Sequence, residues 1–167
     1  METNSPFRFA LQARNLEKRY GELLAVHIDE LNIPPGECFG FLGPNGAGKT
    51  SLMRMIYGRT PINSGELEVL GLDARREMRR IKARIGVVPQ HDNLDPDFTV
   101  MDNLLVYASY FDIPYSEARA RAEELLHFVQ LTDKAKVQVE HLSGGMKRRL
   151  VIARALINRP ELVVLDE

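Results

Sequence analysis

"GPNGAGKT" occupies Gly43 to Thr50, between the apolar run "CFGFL" (38–42) and "SLMRMIYG", which reads as a helix. Strand, then G-x-x-x-x-G-K-[ST], then helix is the setting in which a glycine-rich loop wraps a phosphate chain. Glycines let consecutive N–H groups curl toward phosphate oxygens, and the following helix adds unpaired N–H groups and the positive end of its dipole. Gly43, Pro44, Asn45, Gly46, Ala47 and Gly48 would form that cradle. Lys49 offers a mobile cation to the β- and γ-phosphates, and the Thr50 hydroxyl is placed to ligate Mg²⁺. With Gly near 7% of residues, the four fixed positions arise by chance in roughly 1% of chains this long or fewer. The stretch therefore predicts a nucleoside triphosphate site.

Working outward, "FRFALQAR" (7–14) alternates, with Phe7, Phe9, Leu11 and Ala13 on one side, as in a strand with one wet face. A second extended stretch, Leu24 to Ile33, ends at the turn "PPGE". "CFGFL", "IGVV" (85–88) and "LVVL" (162–165) are short apolar runs of the kind found in strands covered on both faces, which predicts a parallel sheet flanked by helices. Cys38 then reads as a small buried packing residue. Between Gln90 and Leu142 the pattern turns helical. Val100, Leu104, Ala108 and Phe111 follow the candidate cap Thr99, with Pro114 as a limit; Ala118, Ala122, Leu125 and Val129 follow the candidate cap Ser116. The expected fold is α/β: a mostly parallel phosphate-loop core with an N-terminal antiparallel β layer and an inserted helical subdomain. Residues 1–92 would form the nucleotide-binding core with that layer, 93–141 the helical subdomain, and 142–167 a further helix and strand.

Composition narrows the function classes. The 167 residues are 44% apolar and 27% charged with net charge −1, which argues against binding nucleic acid mainly through phosphate contacts. The basic runs "ARREMRRIKAR" (74–84) and "KRR" (147–149) read as solvated helix faces. A lone cysteine forms no internal disulfide and fits a reducing compartment. No uncharged apolar run reaches the ~18 residues of a spanning helix, and the N-terminus lacks a signal-peptide core, so any membrane is expected to be reached through a partner. His27, His91, His127 and His141 show no metal-ligand spacing.

"LVVLDE" (162–167) supplies a second element of the chemistry. A strand ending in Asp166 places a carboxylate at the carboxyl edge of the sheet, where it can hold Mg²⁺ through water, and Glu167 would polarise the attacking water.

"LSGGM", Leu142 to Met146, resembles the signature motif of ATP-binding cassette (ABC) proteins, with Met at a position the family normally fills with Gln. Leu142, Ser143, Gly144 and Gly145 make a second anion-binding turn at the start of a helix that is expected to run toward Asn158 and pack Leu150, Ala153 and Ile157 inward. The resemblance implies a head-to-tail dimer in which each ATP lies between one subunit's phosphate loop and the other's signature turn. It also implies that Tyr20 stacks on adenine, that Ser51 helps bind the α-phosphate, and that Gln90 touches Mg²⁺ and senses the γ-phosphate. The stretches around Met146 and "ALINRPELVVLDE" are similar to ATP-binding subunits of drug-resistance and nodulation-factor (lipo-chitooligosaccharide) exporters.

The implied activity is ATP hydrolysis coupled to export. Lys49, Gln90 and Glu167 would be catalytic, and Thr50, Gln90 and Asp166 the metal ligands. The partners would be a second ATP-binding subunit and a membrane permease, at the cytoplasmic face of the membrane, without nucleic acid. Two other readings are a soluble ABC ATPase acting on ribosomes or DNA and a non-hydrolysing nucleotide-binding module. By the same resemblance a D-loop and a switch histidine would follow Glu167, so residues 1–167 by themselves are expected to bind ATP weakly and to leave part of a sheet uncovered.

Overall fold

The computed structural model describes residues 6–166, which divide into two compact units, Met1–Lys82 and Ala83–Glu167.

The first unit is organised by an antiparallel hairpin. Strand β1 (Leu11–Tyr20) returns as β2 (Leu23–Ile33), with Tyr20 opposite Leu23, so Gly21 and Glu22 alone make the turn. Gly21 has φ +58°, the left-handed conformation that two-residue hairpin loops require. Strands β3 (Ser64–Val69) and β4 (Leu72–Asp73) complete an antiparallel sheet in the order β2-β1-β3-β4. Between β2 and β3 lies helix α1 (Lys49–Ile56), which buries Leu52, Met55 and Ile56. The predicted alternation is present, but the ladder begins at Leu11, and Phe7 and Phe9 lie half-buried ahead of it. Along β1 the buried residues are Leu11 and Ala13, then Leu16 and Lys18. The phase changes at Asn15, which has φ +45° and sits where the register with β3 shifts. One extra residue in a strand turns every later side chain to the other face. That is how Lys18 comes to point inward, at 5% exposure.

The run 38–42 departs from expectation. No described strand pairs with it, Phe39 and Leu42 are 48% and 97% exposed, and Cys38 is exposed rather than packed. An apolar run becomes a buried strand only when neighbours supply both ladder bonds and cover.

Helix α2 (Met78–Arg84) crosses the division of the chain. In the second unit, β5 (Ile85–Val88) and β6 (Leu162–Leu165) form a parallel pair, in register from Ile85 opposite Leu162 to Val88 opposite Leu165. At the pair's start the Arg84 guanidinium donates to both carboxylate oxygens of Glu161, at 2.6 and 2.7 Å. The intervening chain forms α3 (Val100–Ser109), α4 (Tyr115–Phe128) and α5 (Gly144–Leu156), around a core that includes Leu104, Ala122, Leu126, Leu131 and Leu150. Thr99 caps α3 as expected, accepting from the Asp102 N–H at 3.1 Å. Helix α4 instead starts after Pro114, and Ser116 falls inside its first turn, because proline's fixed φ already suits a helix entry. Leu150, Ala153 and Ile157 of the last helical stretch are fully buried, as its spacing predicted. Strand β6 buries Val164 but leaves Val163 and Leu165 at 41% and 59% exposure, so it is covered on one face rather than on both.

The β1 bulge depends on Gly65. It has φ +77°, and a Cβ there would lie 2.0 Å from the Asn15 carbonyl oxygen. Gly65→Ala should therefore destabilise the protein by about 2–4 kcal/mol, from the left-handed conformation plus the backbone clash. A shift of the urea midpoint with unchanged m-value would read this out, and an unshifted midpoint would refute it.

Candidate functional site

The glycine-rich loop of the first unit leads from exposed chain into α1. Gly48 ends it with φ +82°, and a Cβ there would sit 2.1 Å from the Ala25 carbonyl oxygen of β2. Both conformation and space thus demand glycine at the residue that delivers the first helical N–H groups. The Lys49 ammonium donates to the carbonyls of Gly43 and Pro44 at 2.7 and 2.9 Å, so its side chain folds over the loop. Gly43, Pro44, Asn45, Gly46 and Ala47 are exposed, while Gly48, Lys49, Thr50 and Ser51 are half-buried in the first turn.

Tyr20 belongs to the same neighbourhood. At the end of β1 its hydroxyl lies 3.4 Å from Ser51 Oγ, which joins two residues that the sequence placed separately. Sequence reasoning missed what stands beside the ring. The Lys18 ammonium lies 4.9 Å from the ring centroid and donates to the Pro61 carbonyl at 2.9 Å. A cation over an aromatic face is held by the ring quadrupole and helps fix the ring's plane. The Ser51 hydroxyl, with the Thr60 hydroxyl and the Lys18 and Arg54 cations, holds the Tyr20 phenol below the usual tyrosine range, against an opposing effect of desolvation. The only sequence signal for Lys18 is a lysine in the inward phase of a strand, and that phase is visible only once the bulge at Asn15 is known.

The second unit carries the remaining candidates. Asp166 follows β6 at 5% exposure, its N–H donating to the Val88 carbonyl at 2.9 Å. Gln90 is two residues past Val88 and exposed. Parallel pairing thus brings Gln90 and Asp166 to the carboxyl ends of adjacent strands. Glu167 lies outside the described residues. At the start of α5, the Ser143 hydroxyl accepts from the Met146 N–H at 3.3 Å. Gly144 and Gly145 are exposed, and a Cβ on either would meet nothing within 4 Å. Leu142 differs from its neighbours in the signature turn: its side chain is 6% exposed in the helical core and faces no ligand surface. Met146 packs partly against that core. The "KRR" run is not a solvated face. Arg148 donates to the Pro89 carbonyl at 2.7 Å, and Arg149 to that of Val129 at 2.9 Å. Among the described residues no three His, Cys, Asp or Glu side chains gather as a metal site. No helix among them is long and apolar enough to cross a membrane.

The family described as ABC transporter matches residues 26–167. The "Nod factor export ATP-binding protein I" of Burkholderia thailandensis is 51% identical over 154 residues, covering 92% of this chain and 51% of the relative. The protein of the same description from Rhizobium etli is 48% identical over 161 residues, covering 96% and 51%. The chain spans about half the length of the curated relatives it matches. Among solved structures, cbiO1 from Clostridium perfringens, described as part of the ABC transporter complex cbiONQ, superposes with TM-score 0.83 at 25% identity, over 95% of this chain and 65% of that one.

The Tyr20 contacts give a pH test. Its depressed phenol pKa means that folding favours the phenolate. Any stabilisation from this group appears above the ordinary tyrosine range and is lost as pH falls through the folded-state value. Ser51→Ala should move the Tyr20 ionisation upward, read as phenolate absorbance after subtracting a Tyr20→Phe control; superimposable curves would exclude the hydroxyl as the cause.

Proposed function

Since the chain belongs to the ABC transporter family, we propose that it supplies the ATP-binding and hydrolysing part of an exporter subunit. The substrate class would be a lipo-chitooligosaccharide or another amphiphile, moved through a partner permease at the cytoplasmic face of a membrane. The carrying observation is that one chain presents two glycine turns, each opening a helix: the loop 43–48, exposed from Gly43 to Ala47, before α1, and the exposed Ser143-Gly144-Gly145 before α5. Each offers N–H groups and a positive dipole end to an anion. One nucleotide per domain leaves the second turn to serve a neighbouring subunit, which supports a head-to-tail dimer of ATP-binding subunits. Half identity to Nod factor export proteins supports the substrate class.

In this reading Tyr20 takes the adenine on its ring face, while the cradle of 43–48 with Lys49 and Ser51 takes the phosphates. Lys49 exchanges its two loop carbonyls for phosphate oxygens, a trade of neutral acceptors for charged ones. The partner's copy of Ser143, Gly144 and Gly145 faces the γ-phosphate. Thr50, Gln90 and Asp166 offer only hydroxyl, amide and carboxylate oxygens, the hard donors Mg²⁺ accepts, and the ion when bound neutralises phosphate charge. Glu167 orients water, and Gln90 reports the γ-phosphate to the helical segment 93–141. Positioning and electrostatics carry such a reaction.

In the full-length protein Lys49→Ala should weaken ATP binding at least about tenfold, the loss of one charge-assisted contact pair; equal affinity by calorimetry would count against the loop assignment. Glu167→Gln should keep ATP affinity, accumulate an ATP-bound dimer and lower turnover at least about a hundredfold. Wild-type hydrolysis by that variant would remove Glu167 from its role.

A further inference from the structure

Gln90 lies on a stretch, 89–95, that belongs to no helix or strand, so its carbonyls need partners from elsewhere. Two of them come from one helix. Arg148 Nη1 of α5 donates to the Pro89 carbonyl at 2.7 Å. Arg154 Nη1 donates to the Asn93 carbonyl at 2.9 Å, and its Nη2 donates to Asn93 Oδ1. The two arginines are six residues apart, about 9 Å along the helix axis, and they bracket Gln90.

Arg154 is an unusual residue to spend on packing. It is 7% exposed, and its guanidinium donates to Asn93 rather than to a carboxylate. Its guanidinium lies 4.9 Å from the Tyr107 ring centroid. Burial lowers its pKa, partly offset by Tyr107, Asp92 and Tyr110. Burying a charge costs free energy unless it is hydrogen-bonded, so packing alone does not account for a guanidinium here. Its planar fork does account for it, because it grips a backbone carbonyl and a side-chain carbonyl of one residue at once. Arg148 is half-buried, and its guanidinium donates to the Pro89 carbonyl.

We propose that Arg148 and Arg154 are positioning residues that clamp the Gln90 loop to the helix begun by Ser143, so that one rigid element sets both the glutamine and the signature turn. This rests on the reading of Gln90 as the γ-phosphate sensor. The helix transmits the setting because Leu150, Ala153 and Ile157 lock it into the core between the two arginines and beyond them. Displacement of the signature turn then moves Pro89 and Asn93, and Gln90 with them.

The test uses the full-length protein with four measurements: hydrogen exchange of amides 89–95, ATP affinity, KM and kcat. Arg148→Gln and Arg154→Met should speed exchange in that stretch and lower kcat about ten- to a hundredfold, with ATP affinity within about twofold of wild type. Arg148→Lys should recover kcat relative to Arg148→Gln, since an ammonium still donates to the Pro89 carbonyl, whereas Arg154→Lys should not, since Asn93 is held by two donors of one planar fork. Gln90→Ala combined with Arg148→Gln should be no slower than Gln90→Ala alone. Unchanged exchange in both arginine variants would overturn the clamp, and additive losses in the double variant would overturn its action through Gln90. Wild-type turnover by Gln90→Ala, with fast exchange in the arginine variants, would overturn the sensor reading while leaving the clamp in place. Should Arg154→Met fail to fold, the half-buried Arg148 variants carry the comparison.

Discussion

Parallel strands cannot be joined by a tight turn, and that constraint governs the second unit. With β5 and β6 side by side and pointing the same way, the chain between them must travel the length of the pair and return. It does so as three helices around a common core, the last of which passes close over β5. A Cβ on Gly86 would lie 2.1 Å from the Ala155 carbonyl of α5, so helix and strand meet backbone to backbone. The same pairing sends Gln90 and Asp166 out at one edge. The Asp166 N–H extends the ladder to Val88, which fixes the acid relative to the start of the glutamine loop before any ligand is considered.

In the first unit the corresponding constraint is an approach of backbone to backbone at Gly48, where helix α1 begins against β2. Its counterpart in the sheet is Gly65 beneath the Asn15 bulge. That bulge turns Lys18 inward under Tyr20, and the hydroxyl at the ring's far end reaches Ser51 on α1. Sheet and helix α1 are thereby linked through the ring proposed to receive the base. The aromatic is held at two points while 46% of its surface stays open.

What could be read from the chain was what local spacing determines. The loop at 43–50, the helices after Thr99 and Ser143, and the strands 85–88 and 162–165 each follow from a short pattern with its own physical cause. Most of the departures have one root, since they depend on a neighbour in space that sequence does not show. "CFGFL" has a buried strand's composition, yet it pairs with nothing described, and Cys38 stays exposed. Val163 and Leu165 are apolar but stay 41% and 59% exposed. The "KRR" run looked solvated because an arginine's partner carbonyl on a distant loop leaves no mark in sequence. Ser116 was the better cap by residue type, but Pro114 sets the entry geometry. Asn93 drew no attention, since an asparagine in a loop has many ordinary roles.

Ser143 shows how one hydroxyl serves structure and chemistry at once. It accepts from the Met146 N–H, as a cap must, and this uses one lone pair. A hydroxyl has a second lone pair and one hydrogen to donate. The hydrogen is directed by whatever acceptor lies outside the turn, so capping the helix and donating to an anion do not compete. Gly144 and Gly145 follow with no side chain to cover their N–H groups, and Met146 packs its side chain partly against the helical core. A glutamine there would bring an amide that needs partners of its own, whereas methionine's thioether is a weak acceptor and asks for almost none. With methionine at the fifth position, the polar face of the turn is left to Ser143 and the two glycines.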